Sequence, residues 1–145
     1  TSGTVASEIF DHYEEGTCAL SYSPASGAFG AMFYTSGKYT KIGNIVTVIG
    51  AISVNGAGDA SGAVRLTGWP FVPTGLNSTW SLESGHGVIR GQYGYPDEFN
   101  MIVMNNGGTN AYVYKDDGTE LNVTDMATAY NSSQCSFTVT FMTDT

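Results

Sequence analysis

The chain has 145 residues and a net charge of −8, with five Lys and Arg in all. That is enough for one domain with a real core, and too acidic to bind a nucleic-acid backbone or an anionic bilayer. With 19 Gly and only 12% charged residues, the usage is that of short strands joined by tight turns, so an all-β domain is expected.

Alternating side chains and turn signals mark out the elements in chain order. A strand is expected over 17–23, ended by Pro24-Ala25-Ser26-Gly27, then strands over 29–34 and 39–42 with a turn at Ser36-Gly37 between them. Gly43-Asn44 is read as a tight hairpin, because Gly takes positive φ without cost, and it leads into a long strand over 45–54. The segment 55–62, "NGAGDASG", is a loop by composition, followed by a strand over 63–67 and by Trp69-Pro70-Phe71, where Pro forbids a central ladder position.

In the second half, strands are expected over 79–83, 88–95, 99–104 and 110–115, separated by "SGHG", "YPDE" and "NNGGTN". Asp116-Asp117-Gly118 is a hairpin signal. A strand over 120–124 precedes "DMATAYNSSQ" and a last, cleanly alternating strand, with Cys135, Phe137, Val139 and Phe141 on one face and Ser136, Thr138 and Thr140 on the other.

The strand over 45–54 lacks such a wet face. Val46, Val48, Ile52 and Val54 share one side, and Ile45, Thr47, Ile49 and Ala51 the other. In 99–104, Met101 and Val103 stand opposite Ile102 and Met104. Two-sided strands imply a second contact surface, and a further copy of the chain is the economical partner. Ile45, Val46, Val48, Ile49, Ile102 and Met104 are therefore candidates for core or subunit interface. The alternative is a tightly wrapped core within one chain. Cys18 and Cys135 are open to two readings, a disulfide closing a long loop or two buried thiols.

Three phrases resemble a known family. "FDHYEEGTCALSYSP" looks like the opening of the final domain of bacteriophage tail-fibre and tail-spike proteins, with His12 where the family has an acid, and Cys18 and Leu20 where it commonly has Trp and then Pro. "GKYTKIGNIVTVIGAISV" is similar to the family's Gly-x-Tyr-Thr-Lys-Ile-Gly-Asn hairpin, and "GAVRLTGWPF" to its strand ending in Gly-Leu-Pro-Phe, with Trp69 in the Leu position.

The resemblance implies a distal fibre domain: an antiparallel jelly-roll-like β-sandwich of the tumour-necrosis-factor and C1q type that assembles as a parallel homotrimer. Residues 1–15 would lead in from the rest of the fibre or stalk and 16–145 would form the knob. Consistent with that, the start at Thr1 is read as a cut in a longer chain, and no signal peptide or membrane-spanning run is legible. The expected place is the virion, at a fibre or needle tip exposed to the medium, and the expected partner is a host-surface glycan or protein. The alternatives are a trimerisation cap that does not touch the host, and a cellular C1q-like or cytokine-like ligand.

An enzyme is not expected. Glycan hydrolysis needs two carboxylates about 5 to 10 Å apart; of the candidates Glu14-Glu15, Asp97-Glu98, Asp116-Asp117 and Glu120, all but the first pair fall in predicted turns. His12 and His86 form no legible triad or metal spacing, and His86 reads as a turn residue. A cation held by Asp116, Asp117 and Glu120 is the one metal arrangement conceivable; no metal or cofactor is expected. For binding, Tyr93, Tyr95, Asn105, Asn106, Asn110 and Tyr112 lie near predicted turns and combine aromatic faces with amides, though each tyrosine has the alternative of packing between sheets or subunits. The loop 55–62 is a further candidate, while Trp69 and Trp80 read as core or interface.

Overall fold

A computed structural model describes residues 12–74, 83–91, 99–105, 107–126 and 133–144. Among the described residues nine strands run, β1 Tyr13–Cys18, β2 Ser21–Ser26, β3 Ala31–Ile42, β4 Ile45–Asn55, β5 Ser61–Thr67, β6 Glu83–Gly91, β7 Phe99–Asn105, β8 Asn110–Lys115 and β9 Ser133–Met142, with one 3-10 turn over Val123–Asp125. All pairings are antiparallel, in one sheet ordered β1-β3-β4-β9-β6-β7-β8-β5-β2. Among the described residues no helix is long and apolar enough to cross a membrane.

The sheet is curled, and its connectivity requires it. β1 and β2 are its two edges, yet only Ala19 and Leu20 lie between them, a link that reaches roughly 11 Å at most. The sheet must bend until its edges nearly meet. Leu20 is fully buried at that corner, where a Cβ on Gly37 or Gly50 would come within 2.6 Å of its Cδ1. Small residues on β3 and β4 thus let the corner close.

The core fills the inside of the curl. Val46, Val48, Ile52 and Val54 of β4 face inward with Cys135, Phe137, Val139 and Phe141 of β9, Ile89 of β6, Ile102 and Met104 of β7, and Val64 and Leu66 of β5. Trp69 donates its indole N–H to the Leu66 carbonyl (3.0 Å) and sets its ring edgewise against Phe137 and Phe141. Both cysteines are free thiols, Cys18 half-buried and Cys135 buried. Burial pushes the Cys135 thiol up to about 12, and that of Cys18 up as well.

Several expected elements are confirmed: the β3–β4 hairpin through Gly43 (φ 59), β8, the turn ending at Gly118 (φ 80), and the alternation of β9. Four differ. The stretch 17–23 is not one strand but the junction of β1 and β2 on opposite edges. Ser36-Gly37 is no turn, because Gly37 sits inside β3, where it makes room for Leu20 and the Cys18 sulfur. "SGHG" is no loop but the first half of β6; Gly85 and Gly87 permit close approach to β9, since a Cβ on either would strike the Thr140 or Thr138 carbonyl. The stretch 120–124 makes isolated bridges and a 3-10 turn in place of a strand, because the Asn122 side chain caps it and Asp125 closes the capping box. β1 begins at Tyr13, so the sheet takes in residues assigned to the lead-in.

Candidate functional site

The outer face of the sheet is laid out by register. Across β4, β9, β6, β7 and β8 one row runs Ile49, Thr138, Val88, Met101, Tyr114. The next runs Thr47, Thr140, His86, Val103, Tyr112 and continues to Arg65 of β5. A third begins with Ile42, Ile45 and Met142. Ile45 (53%), Ile49 (61%) and Val88 (71%) are largely exposed, and Met101 and Met142 are partly so. These apolar side chains, interleaved with Thr47, Thr138, Thr140 and His86, are more than a wet sheet face should carry.

An open depression of about 810 Å³ lies on this face, with Val88, Met101 and Val103 along it and His86, Tyr114, Lys115 and Asp116 around it. Beside it Tyr112 and Tyr114 stack (6.5 Å, 16° between planes), and the Arg65 guanidinium sits 4.3 Å from the Tyr112 ring centre. Glu120 accepts from Arg65 Nε at 3.0 Å and raises its pKa. These contacts fix the aromatic wall in place.

Most of the described acidic groups are held by other partners. Glu14 and Glu15, adjacent on β1, point to opposite sides as strand residues must. Tyr39 donates its hydroxyl to Glu14 and Tyr13 to Glu15, each at 2.7 Å, and the carboxylates push both phenols up. Asp117 accepts from the Thr119 hydroxyl (2.6 Å) and N–H (2.9 Å), which hold its carboxyl below the usual range. Asp125 takes Lys115 at 3.0 Å and the Asn122 N–H at 2.8 Å. With Glu120 on Arg65 and Asp117 closing its own turn, the conceived cation set is dispersed; among the described residues no three His, Cys, Asp or Glu gather as a metal site.

Of the residues singled out for binding, Tyr93, Tyr95 and Asn106 lie outside the described residues, as do Trp80 and the pair Asp97 and Glu98. Asn105 ends β7. Asn110 pairs with Thr67, and Tyr112 stands on the sheet face, away from any turn. The interface-or-core candidates separate: Val46, Val48, Ile102 and Met104 are buried inside one chain, while Ile45 and Ile49 are exposed. The loop 55–62 is zipped to residues 28–30, with Ala28 N–H on Asp59 Oδ1 (2.8 Å) and Gly30 N–H on the Gly56 carbonyl (3.1 Å).

Sequence reasoning placed Val88 in a strand without singling it out, and missed the adjacent pair Phe33 and Tyr34, both about half exposed on β3. The signal for that pair was available: two neighbouring aromatics in one strand cannot both face the core.

No protein-family model matches the chain, and no curated protein sequence does either. Among solved structures the chain is similar to the Dettilon tailspike protein (gp208), at a TM-score of 0.49 and 12% identity over 90% of this chain. The chain spans 23% of the length of that protein, and a likeness this distant carries no argument.

Proposed function

We propose that this chain is the host-attachment tip of a phage or virus fibre: a non-enzymatic knob of the jelly-roll, tumour-necrosis-factor and C1q type, working as a homotrimer in the virion and contacting a glycan or protein on the host surface. The observation that carries the reading is the set of apolar residues on the outer face, Ile45, Ile49, Val88, Met101 and Met142, exposed in a single chain. Association with further copies removes it from water and turns a two-sided β4 from a liability into a subunit contact.

The phrase resembling phage fibres supports the same reading, since it folds as the long β3–β4 hairpin that supplies Ile45 and Ile49. The dispersal of the described carboxylates onto tyrosines, turns and basic residues supports a binding role over hydrolysis.

Competition tests this function. The isolated chain, added ahead of whole virions, should reduce their adsorption to the cells they infect. A stable trimer that leaves adsorption unchanged would assign the chain to capping the fibre instead.

A further inference from the structure

We infer that the face where β1 leaves β3 is a binding site for a neutral, hydroxyl-rich saccharide, with Phe33 and Tyr34 as its stacking platform. The biological use of the site rests on the host-attachment reading; its chemistry does not.

Successive strand residues normally face opposite sides. The register of β3 against β4 shifts between Met32 and Tyr34, and such a bulge re-aims side chains. Met32 remains opposite Val54, packed on the core, while Phe33 (55% exposed) and Tyr34 (54%) both turn outward. Their rings meet edge to face at 5.6 Å. Phe29, Tyr39 and Phe71 pack against the core and these two do not, so their display does not serve the fold.

Tyr34 and Ser36 alternate onto the same side of β3, roughly 7 Å apart along the strand. From Ser36 a row of small residues continues through Ala51 of β4 to Ser136 of β9. There an open depression of about 730 Å³ is lined by Thr17, Thr35, Ser36 and Ser136, and also by Lys38 and Ile49, so the site adjoins the contact between copies to which Ile49 is assigned above. β1 pairs with β3 only from Gly37 onward, where it departs toward the other edge of the sheet. That departure leaves the depression open beside the aromatic pair.

The chemistry fits a sugar ring on both counts. Aromatic faces cover its C–H surface, and hydroxyl side chains both donate to and accept from its hydroxyls. The charge selects the neutral class: at −8 per copy, three copies carry −24, which repels a polyanionic chain.

The test titrates the intact chain with a panel of neutral oligosaccharides (glucose, galactose and N-acetylglucosamine series) and with polygalacturonate, read by calorimetry and amide NMR. The double variant F33A/Y34A is taken through the same titration, with its mass and unfolding midpoint recorded. At least one neutral series should bind, shift the signals of Ser36 and Ser136, and bind about tenfold more weakly to the variant, whose mass and midpoint stay unchanged. The inference is overturned if no neutral saccharide binds at ~10 mM, if polygalacturonate alone binds, or if the variant binds as well as the parent. It is equally overturned if the variant changes mass, which would make the rings a contact between copies.

Virion competition keeps the two claims apart. Saccharide binding without competition leaves the site standing and removes host attachment. Competition by parent and variant alike leaves host attachment standing and removes this site from it.

Discussion

Tyr22 donates its phenolic hydrogen to the Cys135 sulfur at 2.9 Å, both residues buried and 113 positions apart in the chain. Tyr22 belongs to the edge strand β2 and Cys135 to β9 in the middle of the sheet, so this bond spans the inside of the curl. Tyr22→Phe keeps the ring and strands the thiol without its donor. The expected loss is about 0.5–1.5 kcal/mol, the net worth of one internal hydrogen bond, measured as a lowered urea midpoint at unchanged m-value.

The two thiols should react at different stages. Half-buried Cys18 is modified slowly by a disulfide reagent in the folded protein, and Cys135 only on unfolding, because the thiolate is the nucleophile and burial withholds it. The same burial makes stability pH-dependent. Below pH 9.0 both states keep the Cys135 proton and its contribution is fully present; between 9.0 and about 12 the unfolded chain releases it while the folded chain holds it, so stability falls. The slope lost approaches ~1.4 kcal/mol per pH unit. Cys135→Ala should flatten the alkaline limb of the urea midpoint plotted against pH; an unchanged slope would contradict the assignment.

Three glycines should rank by what a methyl group would meet. On Gly87 it strikes the Thr138 carbonyl and comes within 2.6 Å of Val139 Cα; backbone cannot yield, so Gly87→Ala should break the β6–β9 pairing. On Gly50 it meets the Leu20 and Phe137 side chains, which give partly, at about 1–3 kcal/mol. Gly43 has open space but φ 59, so Gly43→Ala costs about 1–2 kcal/mol of left-handed backbone strain. Thermal unfolding of the three variants checks the order.

Asp125 serves two partners, Lys115 and the Asn122 N–H, at the turn that follows β8. The ion pair is mostly shielded, with side-chain exposures of 15% and 18%. Asp125→Ala removes the pair and half of the capping box together, an expected loss of about 1–2 kcal/mol. Asp125→Asn should recover the N–H contact and part of that loss.

Much of this fold was legible because most strands obey one local rule. β9 alternates, β8 is bounded by turn residues, and the Gly43 hairpin is named by its own sequence. Two of the failures share a cause: glycine was read as punctuation. Gly37, Gly85 and Gly87 are in strand interiors because they face a neighbour that leaves no room for a side chain, a fact of packing that spacing does not encode. The curl was equally hidden, since β1 and β2 look like one strand until their partners are known. For the candidate site, the dry outer side of Ile45 and Ile49 was readable from alternation, and so was the fact that Phe33 and Tyr34 cannot both face the core; that both turn outward depended on a bulge that only pairing reveals.

The central claim is that the apolar outer face belongs between copies of the chain, and the mass of the native protein tests it most directly. Light scattering at micromolar and nanomolar concentrations should give three times the 15.3 kDa chain mass at both. Ile49→Glu should drop it to one chain mass while keeping the fold, because Ile49 is 61% exposed within a single chain. A monomer at micromolar concentration for the unaltered chain would contradict the account.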